Sequence, residues 1–200
     1  MRDYTRYDRF LDRLCQDIYP EFPAPVSGMV TEKAIHDLVQ EGILSPGLRI
    51  LDIGCGQGLA LERFRDLGLT AEGITLGTDC EVCLGKGLQV RAMDQNFMTF
   101  ADGEFDFLWC RHVLEHSLAP YFTLSEYRRV TRPGGRIYVE VPAPGTSAHH
   151  EGNPNHYSVL PDSLWQILFA RAGLTLERKV TFNFEVACGP DEYWAYLLRR

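Results

Sequence analysis

The chain has 200 residues, enough for one domain with a full core and few for two. At 45% hydrophobic and 24% charged it has the composition of a folded globular protein, which excludes disorder. The net charge of −7, with adjacent basic residues only at Arg128-Arg129, Arg178-Lys179 and Arg199-Arg200, leaves no basic face for nucleic acid, and no apolar run is long enough to span a bilayer.

The start, MRDYTRYDRFLDRL, is charged throughout and does not read as a secretory signal, so the expected location is the cytoplasm. Residues 4–17 and 30–41 carry apolar side chains three and four apart and read as helices. RILDI (49–53) is a short apolar strand that runs into Gly54, Gly56 and Gly58. Helical spacing resumes over 59–67; TAEGIT (70–75) reads as a strand, 78–85 as a short helix and LQVRAM (88–93) as a strand. FDFLWC (105–110) is a strand introduced by the turn ADGE, and 121–131 is a helix stopped by RPGG before the strand RIYVEV (136–141). A long loop rich in Pro, Gly, Asn and His follows, and loops of that length are usually functional. A helix over 162–172 is closed by Gly173. Two strands, LTLERKVTFNFEV and EYWAYLLRR, joined by a turn at CGPD, then predict an antiparallel pair at the end of the sheet.

Alternating strands and helices predict an α/β fold, a doubly wound and mostly parallel sheet with helices on both faces. Ligands bind such sheets beyond the carboxyl ends of the strands, where the strand order reverses. The glycine loop belongs there. Its pattern is G-x-G-x-G, neither the G-x-G-x-x-G of a dinucleotide loop nor a loop ending in G-K-[ST]. Bare glycines let a ligand approach the backbone. Asp52 beside them would repel a phosphate and attract a cation.

ILDIGCGQG (50–58) resembles the first motif of the class I S-adenosylmethionine-dependent methyltransferases. DGEFDFLWCRHVLEHSLAP, EYRRVTRPGGRIYVEVP and LPDSLWQILFARAGL resemble, in order and at normal spacing, the family's later segments. The resemblance covers about residues 30–180. It implies a Rossmann-like seven-stranded sheet with an antiparallel C-terminal strand, S-adenosylmethionine as cofactor, and methyl transfer to oxygen or nitrogen of a small-molecule acceptor. Carried over residue by residue, it places Asp52, Gly54, Cys55, Gly56 and Gly58 in the donor loop. Asp94 and Gln95 fall near adenine, and Cys110 and Arg111 at the end of strand four, lining the cleft. The second strand departs from the pattern. Where the family has an acidic residue for the ribose hydroxyls, EGITLG has Thr75 and Leu76, and a hydroxyl makes one bond rather than a clamp. GITLG is similar to lipid- and carbon-directed members, and a fold-keeping inactive partner remains a third reading. The expected organisation is one domain over 1–200. Residues 30–200 form its core, and 1–29 form a helical lid or extension carrying Tyr4, Tyr7, Phe10 and Tyr19. A homodimer is left open.

The histidines supply the candidate bases. Methyl transfer needs an acceptor held in line and, for a hydroxyl, a group to take its proton. His116, His150 and His156 are the candidates, because imidazole titrates near neutral pH and the loop after strand five faces the cleft. In HVLEHS, a helical turn would put His112, Glu115 and His116 on one face, as a divalent metal requires. Two methyltransferase subgroups use a similar E-x-x-E-H with a metal, but this chain has His112 at the first Glu, and no metal site is assigned. Of six cysteines, all expected reduced, Cys80 and Cys83 form a lone C-x-x-C without the second pair a zinc site needs, and read as packing.

Overall fold

The structure, a computed structural model, describes residues 3–17 and 25–200. Its first half comprises α1 (Thr5–Gln16), α2 (Pro25–Gln40), β1 (Arg49–Ile53), α3 (Leu59–Asp66), β2 (Thr70–Thr75), α4 (Thr78–Gly85) and β3 (Val90–Ala92). The second half comprises β4 (Phe105–Arg111), α5 (Pro120–Val130), β5 (Thr131–Pro142), α6 (Asp162–Arg171), β6 (Thr175–Val186) and β7 (Gly189–Arg199). The strands form one sheet in the order β3-β2-β1-β4-β5-β7-β6. β1, β2, β3, β4 and β5 run parallel, and β7 lies antiparallel between β5 and β6. The predicted fold is therefore the observed one.

Successive strand residues point to opposite faces, so a strand covered on both sides reads as a continuous apolar run. Leu51, Ile53, Leu108, Cys110, Ile137 and Val139 meet Leu124, Tyr127, Trp165 and Phe169 of α5 and α6. On the other face Ile50, Phe107, Trp109 and Tyr138 meet Ile35, Leu38, Ala60 and Phe64 of α2 and α3. Trp109 stacks on Tyr138 at 4.4 Å and takes the edge of Phe64 at 5.8 Å. Each such buried side chain contributes about 1.5–3 kcal/mol. α2, α3, α4 and α6 end alike. A residue after glycine (Ile43, Leu69, Leu88, Leu174) donates its N–H five residues back, to Leu38, Phe64, Cys83 and Phe169, closing the last turn; Leu69, Leu88 and Leu174 are buried there and Ile43 partly so.

Two turns differ from expectation. RPGG does not separate helix from strand: β5 runs unbroken from Thr131 to Pro142, with a register shift against β4 between Phe105 and Phe107. Pro133 has no N–H to give a ladder, but Gly134 and Gly135 exchange bonds with Arg200, so the extra residues are absorbed as a bulge. The other is the β6–β7 hairpin, which turns at Ala187-Cys188, not through CGPD, because Gly189, Pro190 and Asp191 already pair with Val186, Glu185 and Phe184. That register brings Asp191 and Tyr193 to the carboxyl edge of the sheet. No helix among the described residues is long and apolar enough to cross a membrane.

Candidate active site

The strand order reverses between β1 and β4, and a cavity of about 420 Å³ opens beyond their carboxyl ends. Its floor is the chain after β1. The Cys55 amide donates to the Ile74 carbonyl at 3.0 Å, clamping this loop to β2. Gly54 has φ 64°, and a Cβ there would lie 2.3 Å from a Val113 methyl carbon. Glycine is required at this position by both sterics and backbone.

The cavity is lined by Gly54, Gly56, Thr75, Leu76, Asp94 and Gln95, and by His116, His150 and His156. It is not lined by Asp52, Cys55, Gly58, Cys110 or Arg111. Asp52 is buried beneath the loop, where burial raises its carboxyl pKa and favours the neutral form. The negative charge expected there comes instead from Asp79, at the start of α4, which Gln57 of the loop contacts at 3.2 Å; Asp17, Asp94 and Glu115 line the cavity elsewhere. Cys55 packs against Gly73, and Gly58 caps α3 against Leu88. Cys110 is in the core, 3.2 Å from the Tyr127 hydroxyl. Arg111 turns behind the cavity to Glu140, Nε to Oε1 2.7 Å. Cys110 faces the core, Arg111 faces Glu140 and the chain turns at His112, so His112 and Val113 line the cleft in place of Cys110 and Arg111. Cys83 donates to the Gly56 carbonyl at 3.2 Å, so this thiol of the C-x-x-C supports the loop from below.

Asp94 accepts from the backbone and side chain of Asn96 at 2.9 and 2.8 Å. The Gln95 amide is held at both ends, by the Val113 carbonyl at 3.0 Å and the Tyr127 hydroxyl at 2.5 Å. Opposite, α1 contributes Tyr7, Leu11, Leu14 and Cys15, with Cys15 Sγ 3.5 Å from Asp94 Oδ2. Tyr4 and Phe10 are exposed and absent from the lining, and Tyr19 lies outside the described residues.

The other end of the cavity is rich in imidazole. His116 Nδ1 meets the Asn155 carbonyl at 2.9 Å and His156 Nδ1 the His150 carbonyl at 2.9 Å. A carbonyl only accepts, so each Nδ1 carries the proton and each neutral ring keeps its lone pair on Nε2. Burial lowers the His156 pKa, favouring the neutral ring. His150 Nε2 lies 3.0 and 3.1 Å from the Asp191 carboxylate.

His112 does not join this group as expected. The one-turn helix after β4 covers only Leu114–His116, and His112 precedes it with φ 55°. Its ring lies between Glu115 (3.4 Å) and Glu140 (3.3 Å), in a T-shaped contact with Tyr193 at 4.1 Å between ring centres. The groups that do converge are Glu115, His116 and His156, with one ligand atom from each within 4.8 Å of the others. Glu115 is fully buried, and neither carboxylate oxygen has a hydrogen-bond partner among the described residues. His112, 3.4 Å away, is its nearest opposite charge, and both oxygens keep lone pairs unused by hydrogen bonds, so a divalent cation fits this donor set.

A family model described as a methyltransferase domain matches residues 7–178. The chain belongs to the methyltransferase family. S-adenosylmethionine, the donor of this family, is its cofactor. The chain is 34% identical over 100 residues to a ubiquinone biosynthesis O-methyltransferase of Methylococcus capsulatus, a match over 46% of this chain and 42% of that protein. A Pseudomonas aeruginosa protein of the same name is 25% identical over 180 residues, 82% of this chain and 71% of its own length. The structure of a SAM-dependent methyltransferase from Archaeoglobus fulgidus superposes with a TM-score of 0.68 at 20% identity, covering 85% of this chain and 94% of that one.

Asp79, Asn96, Asp191 and Tyr193 were not singled out from the sequence. Asp79 had a signal, an acidic residue in the first turn of a helix that follows the second strand. Asp191 had none, since its place depends on the hairpin register.

Proposed function

We propose that this methyltransferase moves the methyl group of S-adenosylmethionine to a hydroxyl oxygen of a small acceptor without strongly anionic groups. The carrying observation is the cavity's polarity. Its described lining contains no Lys or Arg; Asp79 and Asp94 stand with the glycine loop and the second- and third-strand ends, while four histidines, with Glu115 among them, line the rest. The acidic end suits a donor with an ammonium and a sulfonium charge, and gives nothing to a phosphate. When bound, the donor supplies an activated methyl group on a good leaving group, so the protein has only to orient the acceptor, exclude water and accept a proton.

Each task has a residue. Asp79, 6% exposed and fixed by Gln57 Nε2 at 3.2 Å, supplies the carboxylate for the ribose hydroxyls that Thr75 lacks. Asp94 stands near the adenine side. His150, steadied by Asp191, takes the acceptor proton, and the Nε2 atoms of His116 and His156 share that role only where no ion occupies them. Leu11 and Leu14 of α1 cover the donor as a lid. If a divalent ion is held, Glu115, His116 and His156 hold it, and it would lower the pKa of a nearby hydroxyl. The relatives' names support oxygen as the methylated atom, and the carboxylate of Asp79 weighs against a lost donor site.

The test is calorimetric titration with S-adenosylmethionine followed by a panel of neutral phenols, carboxylated phenols and primary amines, reading release of the demethylated donor. Donor binding with turnover of neutral phenols is the expected result. Turnover of amines alone, or no donor binding by folded protein, would overturn it.

A further inference from the structure

The cluster of Glu115, His116 and His156 differs from the ligand set that the sequence pattern implies, and the difference bears on which metal fits. Where the pattern has a first glutamate, this chain has His112, and the structure turns His112 out of the cluster toward Glu140. Its place is taken by His156, which comes from the loop after β5, 40 residues beyond His116. The donor set becomes two imidazole nitrogens and one carboxylate, instead of a carboxylate majority. Hard ions such as Mg²⁺ demand oxygen ligands in near-ideal octahedra, whereas imidazole suits Zn²⁺, Co²⁺, Fe²⁺ and Ni²⁺.

We propose that Glu115, His116 and His156 form a transition-metal site that excludes Mg²⁺, and that His112 positions Glu115 within it without touching the metal. Three features support the site. The Glu115 carboxylate is wholly buried with neither oxygen hydrogen-bonded among the described residues, and His112 at 3.4 Å balances its charge without using the oxygen lone pairs a metal would take. Both histidines are oriented by Nδ1 contacts to backbone carbonyls (Asn155 and His150), the outer contacts that metal-binding imidazoles use to present Nε2. The ligand atoms span 4.8 Å, and atoms on opposite sides of such an ion stand about 4.2 Å apart, so small side-chain movements close the set. His112 braces Glu115 from behind: its ring spans the two buried carboxylates at 3.4 and 3.3 Å and is itself pinned by Tyr193. A three-residue set also leaves positions open to an acceptor, as catalytic sites do.

The inference does not depend on which atom is methylated, and its test does not use turnover. The full chain, stripped with chelator, is titrated with Zn²⁺, Co²⁺ and Mg²⁺ by calorimetry, and the Co²⁺ form is read by its visible absorption. S-adenosylmethionine binding is measured on the same samples, which separates a failed site from a failed methyltransferase reading. One Zn²⁺ or Co²⁺ per chain is expected at micromolar affinity or tighter, with Mg²⁺ at least a hundredfold weaker. His156→Ala should weaken Zn²⁺ at least tenfold and change the Co²⁺ spectrum. His112→Gln should weaken it about tenfold while leaving the spectrum's band positions, since no ligand is lost. His36→Ala, on the exposed side of α2, should change nothing. Equal affinity for Mg²⁺ and Zn²⁺, unchanged Zn²⁺ affinity in His156→Ala, or no metal bound by protein that still binds the donor would each overturn the proposal. A shift of the Co²⁺ bands in His112→Gln would overturn the role of His112.

Discussion

Gly54 and Asp79 make different demands on the donor end of the cavity. At Gly54 the backbone has φ 64° and the space a side chain would fill belongs to Val113. Gly54→Ala should therefore cost about 2 kcal/mol or more, and a thermal melt with donor titration would register both the lost stability and the displaced floor. Asp79→Asn preserves shape and removes charge. If its carboxylate takes the ribose hydroxyls, donor affinity falls about 10- to 100-fold with no change in melting temperature. Unchanged affinity would return ribose recognition to Thr75. The glycines were legible because few residues tolerate their backbone, and a bare loop after a buried strand has few other uses. Asp79 was hidden because a helix's first turn is also where an acidic residue serves the helix alone. Asp52 misled for a related reason: a strand pattern says which residues alternate, not which end of a side chain reaches solvent.

Elements meet at the ends of β4 and β5 in a buried charged group: Arg111 on Glu140, and His112 between Glu140 and Glu115. Burial alone would discharge His112, but its two carboxylate neighbours outweigh burial and raise its pKa to about 9. Burial would likewise raise Glu115 and Glu140, yet His112 for the one and Arg111 for the other lower both below the usual 4.5. The signs follow from linkage. His112, raised above its unfolded 6.5, contributes stability fully present below pH 6.5 and lost as pH climbs through 9. The two glutamates contribute stability present above pH 4.5 and lost as pH falls through their lowered values. Metal-free protein should thus melt highest between about pH 4.5 and 6.5 on this group's account, and His112→Gln should flatten the alkaline limb of the melting curve. An unchanged limb would mean that His112 is neutral in the folded chain. Strands and helices around this group were readable from periodicity, and the Leu114–His116 turn was nearly so. That His112 leaves the turn was not readable, because one residue in the left-handed region moves a side chain to another neighbour without changing the spacing that the sequence displays.

At the scale of the whole molecule, the sheet supplies the stability and α1 stands apart from it. None of the residues of α1 is buried, whereas both faces of the sheet carry closed apolar clusters. The helix nonetheless supplies Leu11 and Leu14 to the cavity wall, and links across the cleft run from Cys15 to Asp94 at 3.5 Å and from Asn155 to the carbonyl of Asp17, just past the helix, at 2.5 Å. The family match, which begins at residue 7, takes in most of α1 as part of the domain. A helix with half-exposed leucines facing a ligand gains most of its burial when the ligand arrives, at about 1.5–3 kcal/mol for each side chain that becomes fully covered. Replacing both Leu11 and Leu14 by Glu should consequently leave the melting temperature of the free protein within about 2 °C of the parent. The same change should raise the donor Kd at least tenfold, each factor of ten being about 1.4 kcal/mol of lost closure. Amide exchange of α1, fast in the free protein and slowed by donor, would register the closure directly. A large loss of stability in the free protein would instead make α1 a fixed wall of the fold, closed before the donor binds.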